Sequence, residues 1–249
     1  MPLVGIVLED EVKVSSFDVL EEARKEGVAY GYPLAFWMDA LKERHLQGYS
    51  VTELVGDTLR QKVIQRLFDY YDEPKSMWAR LRGTWLHSGA AMAMEWEQDA
   101  GWLIERRLFA DLDGVEISGQ IDAYHQDSGR LIDFKSTKFM PPEPYDSHLY
   151  QLGAYRWLIE DNFPDEPVTA VYVVYMTWGD IYMKVVDRSE DKTWETSTVL
   201  ETMRMGMDIL QEGDEYGIIP PKLFCNERLC PYCAVRNICE SLPEGRTKL

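Results

Sequence analysis

Three side chains within residues 114–138 carry groups that can act together: the carboxylates of Asp122 and Asp133 and the ammonium of Lys135. Residues 115–125 alternate in character. Val115, Ile117, Gly119, Ile121 and Ala123 fall on one side, and Glu116, Ser118, Gln120, Asp122 and Tyr124 on the other, which predicts a strand. Residues 126–129 form a polar turn ending in glycine, and residues 130–135 predict a second, short apolar strand. The two-residue period of a strand sets Asp133 and Lys135 side by side on one face. Charges on an otherwise apolar strand are costly unless they serve a purpose. Asp122, eleven residues before Asp133 on the other strand of the hairpin, brings a second carboxylate to the same point. Two carboxylates beside a lysine suit a hard divalent cation next to a reacting phosphate.

Two more spacings belong with this set. His87 follows Gly83 by four residues in a helix predicted over residues 77–97, and Gln151 precedes Tyr155 by four in a helix predicted over residues 145–161. Each pair therefore shares a helical face. The ordered set Gly83-x-x-x-His87, Gly119-x-x-Asp122, Asp133-x-Lys135 and Gln151-x-x-x-Tyr155 resembles the PD-(D/E)xK nuclease superfamily, in its RecB-type branch. A lone D-x-K occurs by chance in many proteins, whereas four motifs in the family's order are far more specific. The resemblance runs over residues 50–239.

The resemblance implies an α/β (α+β) fold: a restriction-endonuclease-like core with a mixed central sheet flanked by helices, followed by a C-terminal cysteine segment. It implies a metal-dependent DNA nuclease, in particular an exonuclease hydrolysing phosphodiester bonds at single-stranded ends. Asp122 and Asp133, with His87 and the backbone carbonyl of Phe134, would hold Mg2+ or Mn2+. Lys135 would stabilise the transition state or position water. Gln151 and Tyr155 would contact DNA. Glu105, on a strand predicted over residues 102–112, is a further candidate for the acidic site. Arg80, Arg82, Arg106 and Arg107 are candidates for phosphate contact. The alternative function is a non-catalytic subunit that binds DNA ends or serves as scaffold in a repair, recombination or CRISPR adaptation complex; an intact Asp122, Asp133 and Lys135 argues against it.

All four cysteines, Cys225, Cys230, Cys233 and Cys239, fall in one short stretch with the spacing C-x4-C-x2-C-x5-C. Such clustering suggests a metal site more than disulfides. Four thiolates suit zinc or an iron-sulfur cluster, and composition alone favours zinc. The last three cysteines are similar to those of the iron-sulfur RecB-type nucleases, including AddB and the CRISPR adaptation exonucleases, which implies [4Fe-4S], with Zn2+ as the alternative. In those relatives the fourth ligand usually comes from near the first helix. Here Gly56 and Asp57 stand in that region, and Cys225 takes the fourth place.

With 249 residues, 45% hydrophobic content and 8 Trp, the chain has enough material for a sizeable core. A net charge of -17 opposes nucleic-acid binding except along a local, cation-assisted track. No apolar run reaches transmembrane length and the start lacks the pattern of a signal peptide, so a cytoplasmic protein without a membrane partner is expected. No Walker A loop is present, so no ATPase is expected. Residues 1–48 are read as an extension of unknown role, 49–215 as the nuclease core and 216–249 as a metal-binding tail. In the extension, residues 3–8 and 12–14 predict paired strands and residues 17–26 and 33–43 predict helices, with Leu34, Trp37, Met38 and Leu41 as a core stripe. Ser50 to Glu53 reads as a capping box, and Leu59, Val63, Ile64, Leu67, Phe68 and Tyr71 mark an amphipathic helix. Residues 168–178 and 181–187 predict a late hairpin turning at Gly179 and Asp180, and residues 190–212 a long helix with a methionine-rich core stripe.

Overall fold

A computed structural model describes residues 3–9, 11–41, 48–95, 101–177, 181–185 and 195–249. In chain order the elements begin with β1 (Leu3–Val7), β2 (Lys13–Ser15), α1 (Ser16–Glu26), β3 (Val28–Ala29), β4 (Tyr32–Pro33) and α2 (Leu34–Ala40). Then come β5 (Tyr49–Ser50), α3 (Val51–Leu54), α4 (Leu59–Leu67), β6 (Tyr70–Asp72) and α5 (Pro74–Glu95). The middle of the chain holds β7 (Trp102–Leu112), β8 (Val115–His125), β9 (Arg130–Ser136), α6 (Asp146–Asn162), β10 (Ala170–Met176) and β11 (Ile181–Val185). It ends with α7 (Thr196–Tyr216), β12 (Ile218–Ile219), α8 (Arg236–Ser241) and β13 (Thr247–Lys248). The turn expected at Gly179 and Asp180 lies outside the described residues, as does the end of the helix expected to reach Glu97; the helix expected over 33–43 stops earlier, at Ala40, with Leu41 as its cap.

The chain divides into two compact units. One comprises Met1–His45, Asp57–Arg82 and Asp208–Leu249. Its three-stranded sheet runs β2-β1-β6, with β1 antiparallel to β2 and parallel to β6. Ile6, Val19, Ala23, Ala29, Phe36, Trp37, Met77 and Leu81 form its core. The indole N–H of the fully buried Trp37 is satisfied by the Ala29 carbonyl at 2.9 Å. Two expectations are corrected here. Met38 is exposed, and Phe36 takes the core position instead. The amphipathic pattern that continues to Tyr71 stops being helical at Leu67, because Tyr70, Tyr71 and Asp72 pair with β1. Tertiary pairing overrides local periodicity there.

The second unit comprises Leu46–Gly56 and Gly83–Met207. It is a six-stranded mixed sheet in the order β11-β10-β9-β8-β5, with β7 also paired to β8. β7, β8 and β9 are antiparallel neighbours, whereas β9 and β10 are parallel, joined by a crossover through α6. Ile117, Ile121, Tyr124, Leu131, Val171, Val173 and Tyr175 are fully buried, so the central strands are covered on both faces. α6 buries Leu149, Leu152, Ala154, Leu158 and Ile159. Val199 and Met203 of α7 are also fully buried. This is a mixed α/β arrangement with a mixed central sheet flanked by helices, as expected from the sequence. Among the described residues no helix is long and apolar enough to cross a membrane.

Candidate active site

The site grows out of a fork in the sheet. β8 and β9 are hydrogen-bonded only at their near ends, where Ala123, Tyr124 and His125 face Ile132, Leu131 and Arg130. Beyond that point β9 stays with β10, with Asp133 opposite Val173 and Lys135 opposite Tyr175, and leaves β8. Further along, the same edge of β8 is taken by β5 at Ile117 and Ser118. The gap between these pairings opens at Asp122 on one strand and Asp133 on the other. A separating pair of strands leaves backbone donors without ladder partners. One of them, the Phe134 N–H, donates to Asp122 Oδ2 at 2.6 Å. The carboxylate is thereby aimed into the fork by the backbone it satisfies.

Asp133 is 1% exposed. Lys135 Nζ donates to Asp133 Oδ1 at 2.9 Å. It also lies 2.7 Å from Oδ2, but without the alignment of a hydrogen bond. Among the described residues, Asp133 Oδ2 is the buried side-chain oxygen left with no hydrogen bond. Burial pushes the Asp133 carboxyl up to about 6; the Lys135 charge pulls it down and the Asp122 charge adds to the rise. His87 Nδ1 lies 3.4 Å from Asp122 Oδ1. Burial works against a charged His87, yet the hydrogen bond and charge of Asp122 outweigh it and raise the imidazole above its ordinary value.

Two glycines explain how distant elements reach this fork. A Cβ on Gly83 would stand 3.0 Å from Ser136 Oγ, so α5 comes close to the end of β9 there, and His87, one turn later, lies by Asp122. A Cβ on Gly119 would stand 2.5 Å from Leu158 Cδ1 and 3.0 Å from Tyr155 Cε1, so α6 lies close on β8. Tyr155 and Gln151 are both buried, and Gln151 Nε2 donates to Tyr155 Oη at 2.7 Å. Burial, then the charge of Asp133, pushes the Tyr155 phenol far up, so it stays neutral beside the carboxylates.

The structure thus brings Asp122, Asp133, Lys135, His87, Phe134, Gln151 and Tyr155 around one fork. The Glu105 carboxylate accepts from Gln120, whose Oε1 accepts from Arg107 Nη2 at 2.9 Å. Arg107 also donates to Ser118 Oγ at 3.3 Å. Arg80 is paired with the buried Asp72 and Ser76, in the first unit.

Sequence reasoning missed His148 and Tyr175. Tyr175 lies opposite Lys135 in the β9–β10 pair, accepts from the Tyr145 N–H at 3.3 Å and stands 2.9 Å from His148 Nδ1. Burial, then the Lys135 charge, pushes His148 down to about 3, so a neutral imidazole stands near the lysine. The one available signal is that His148 precedes Gln151 by three residues, on the same helical face. A testable consequence follows from the sign of this shift. A histidine depressed below its unfolded 6.5 contributes stability that is full above 6.5 and is lost as pH falls toward 3. Urea unfolding at about pH 7 and about pH 5 is expected to show a smaller acid loss for His148→Gln than for the wild type. Parallel losses in the two proteins would contradict a neutral, buried His148.

A cation fits the fork. The donors are hard carboxylate oxygens, and one of them, Asp133 Oδ2, is buried with the Lys135 charge beside it but no hydrogen bond. Among the described residues no three His, Cys, Asp or Glu side chains close around a point. Mg2+ in particular needs no such cage, since it keeps waters and takes phosphate oxygens beside one or two carboxylates. The four cysteines are free thiols in the first unit. Burial pushes Cys225 up to about 11, with the other three sulfurs adding to the rise. Their donor chemistry suits a thiolate-bound metal, although among the described residues no three of the four sulfurs close around a point.

The fold has counterparts among solved structures. The crystal structure of SSO0001 covers 93% of this chain and 98% of its own, at 16% identity and a TM-score of 0.56, which shows a shared fold. A crystal structure from Eubacterium rectale, of a protein provisionally described as an exonuclease, covers 84% of this chain and 87% of its own, at 15% identity and a TM-score of 0.37. No match was found among curated proteins. The profile of the PD-(D/E)XK nuclease superfamily matches residues 36–240. Members of that superfamily are generally nucleases and usually use Mg2+ or Mn2+. A match over most of the chain makes this protein a member of the PD-(D/E)XK nuclease superfamily.

Proposed function

We propose that the protein is a cation-dependent deoxyribonuclease of the RecB-type branch that hydrolyses phosphodiester bonds at the ends of single-stranded DNA. The observation that carries this reading is the strand fork that presents Asp122 and Asp133 together, with Asp133 Oδ2 unbonded and Lys135 alongside. Asp122, Asp133 and the Phe134 carbonyl would hold Mg2+ or Mn2+, with His87 acting on Asp122 or as a further ligand. When bound, the cation would supply a Lewis acid at the scissile phosphate. Lys135 carries positive charge to the place where negative charge develops on the phosphate oxygens. The Asp133 oxygen that it bonds fixes where that ammonium points. Gln151 and Tyr155 would form the floor under the reacting group, with their remaining polar capacity turned to DNA.

The cysteines would form a second centre, [4Fe-4S] or Zn2+, that ties the tail down. Asn226 N–H donates to the Asp57 carbonyl at 2.8 Å, which sets Cys225 beside the region where relatives usually carry an N-terminal cysteine. The domain reading of 1–48, 49–215 and 216–249, an intracellular location and a partner in a repair, recombination or CRISPR complex belong to the same proposal. The end preference is tested with labelled linear and covalently circular single strands of the same sequence. Linear strands are expected to shorten progressively while circles persist. Equal loss of circles would make the activity endonucleolytic.

A further inference from the structure

The chain between β9 and α6 leaves the fork and returns to it. Thr137 N–H donates to the Met176 carbonyl at 2.9 Å, and Tyr145 N–H donates to Tyr175 Oη at 3.3 Å. Tyr175 and Met176 are the last two residues of β10, and they pair with Lys135 and Ser136. Both ends of loop 137–145 are therefore pinned beside the lysine of the fork. Pro141, Pro142 and Pro144 fix φ at three positions within it. Side chains on a loop held in this way have little further entropy to lose on binding.

Two large rings of the loop are exposed, Phe139 at 73% and Tyr145 at 45%. Single exposed aromatic residues are ordinary on a protein surface. Tyr145 differs in how it is held. Its ring stands T-shaped against His148, with centroids 5.3 Å apart, and against Tyr175 at 6.4 Å. Those two are locked to each other, since Tyr175 is fully buried and its Oη lies 2.9 Å from His148 Nδ1. Tyr145 is thus a half-exposed ring braced by two others, and one of the two sits opposite Lys135 in the sheet. Phe139 lies under Lys138 Nζ at 5.1 Å, so a cation and a second ring share the loop.

A chain with a net charge of -17 gains little from broad electrostatic attraction to nucleic acid. Stacking needs no net charge, and every unpaired base has a π-face to offer. We propose that Tyr145 is a stacking platform for an unpaired nucleobase next to the phosphate that Lys135 meets. The inference rests on the nuclease reading of the fork and adds to it a subsite for single-stranded nucleic acid. Tyr145 is a binding residue there: it holds a base, and the chemistry stays with Asp122, Asp133 and Lys135.

The test is fluorescence anisotropy of an internally labelled single strand with the full-length protein in EDTA, where no cleavage is expected. An intact strand is compared with one that carries abasic nucleotides at both ends. Tyr145→Leu is expected to weaken binding of the intact strand by roughly 10-fold or more, the scale of losing one base–aromatic stack. Abasic ends are expected to cost the wild type a similar factor and to cost Tyr145→Leu nothing further. Tyr145→Trp keeps a ring and is expected to bind as the wild type does. Wild-type affinity in Tyr145→Leu would overturn the proposal. So would a Tyr145→Leu loss of equal size on intact and abasic strands, which would make the effect of the tyrosine independent of any base. Hydrolysis of the intact strand in Mn2+ is followed separately. Cleavage by the wild type beside unweakened binding in Tyr145→Leu would remove the platform alone. A wild type that neither binds nor cleaves single strands would remove the nuclease reading, and the platform with it.

Discussion

Asp133→Asn is expected to reduce DNA cleavage to background while leaving a folded protein. Asparagine has nearly the same shape but no negative charge, so the site loses a cation ligand and Lys135 loses its ionic partner. The fold does not depend on that charge. Burial raises the Asp133 carboxyl from its ordinary 3.8 to about 6, so the native state holds the proton more tightly than the unfolded chain does. Without a cation, Asp133 therefore costs stability as pH rises through this interval, and the cost is complete above about 6. Asp133→Asn escapes that cost, which offsets the weakened contact with Lys135. Initial rates on a labelled oligonucleotide, set beside thermal unfolding at neutral pH, measure both effects. Cleavage at the wild-type rate by Asp133→Asn would remove Asp133 from the chemistry. Collapse of the fold would assign it a structural role.

Lys135→Met is expected to lower the cleavage rate by roughly 100-fold or more, the scale of losing one preorganised donor at a developing oxyanion. Methionine fills similar space on β9 without the ammonium. The expected signature is a fall in kcat with little loss of divalent-cation affinity. Cation affinity can even tighten, because Nζ no longer competes at 2.9 Å and 2.7 Å for the two Asp133 oxygens. Isothermal titration with Mn2+, alongside steady-state rates, separates these outcomes. A variant whose whole defect disappeared at saturating Mn2+ would make Lys135 an organiser of the carboxylate rather than a contributor at the phosphate.

The parts of the fold legible in the sequence were those with a strong local period. The alternation of β8, the short β9, the amphipathic α7 and the capping box of Ser50 and Glu53 are all present as expected. The convergence of Asp122, Asp133 and Lys135 was legible because a tight hairpin fixes which residues face each other. What opens the site, the parting of β9 from β8 after Ile132, was not legible, since it depends on β10 and β5 claiming the strand edges. Long-range pairing also turned Tyr70, Tyr71 and Asp72 into a strand against their helical period. His148 stayed hidden because its three-residue spacing from Gln151 is weak on its own, and its meaning appears only when Tyr175 is brought against it.

The central claim is that the forked strands hold a cation-dependent phosphodiesterase. The most direct measurement is the time course of a 5′-labelled single-stranded oligonucleotide incubated with the wild-type protein in Mn2+, in Mg2+, and in excess EDTA, with Asp122→Asn run beside it. Asp122→Asn keeps an acceptor for the Phe134 N–H and so keeps the fork. The account predicts shortening of the label with either cation, none in EDTA, recovery when Mn2+ is added back, and none with Asp122→Asn under any condition. Cleavage that persists in EDTA, or that Asp122→Asn performs as well as the wild type, would contradict it.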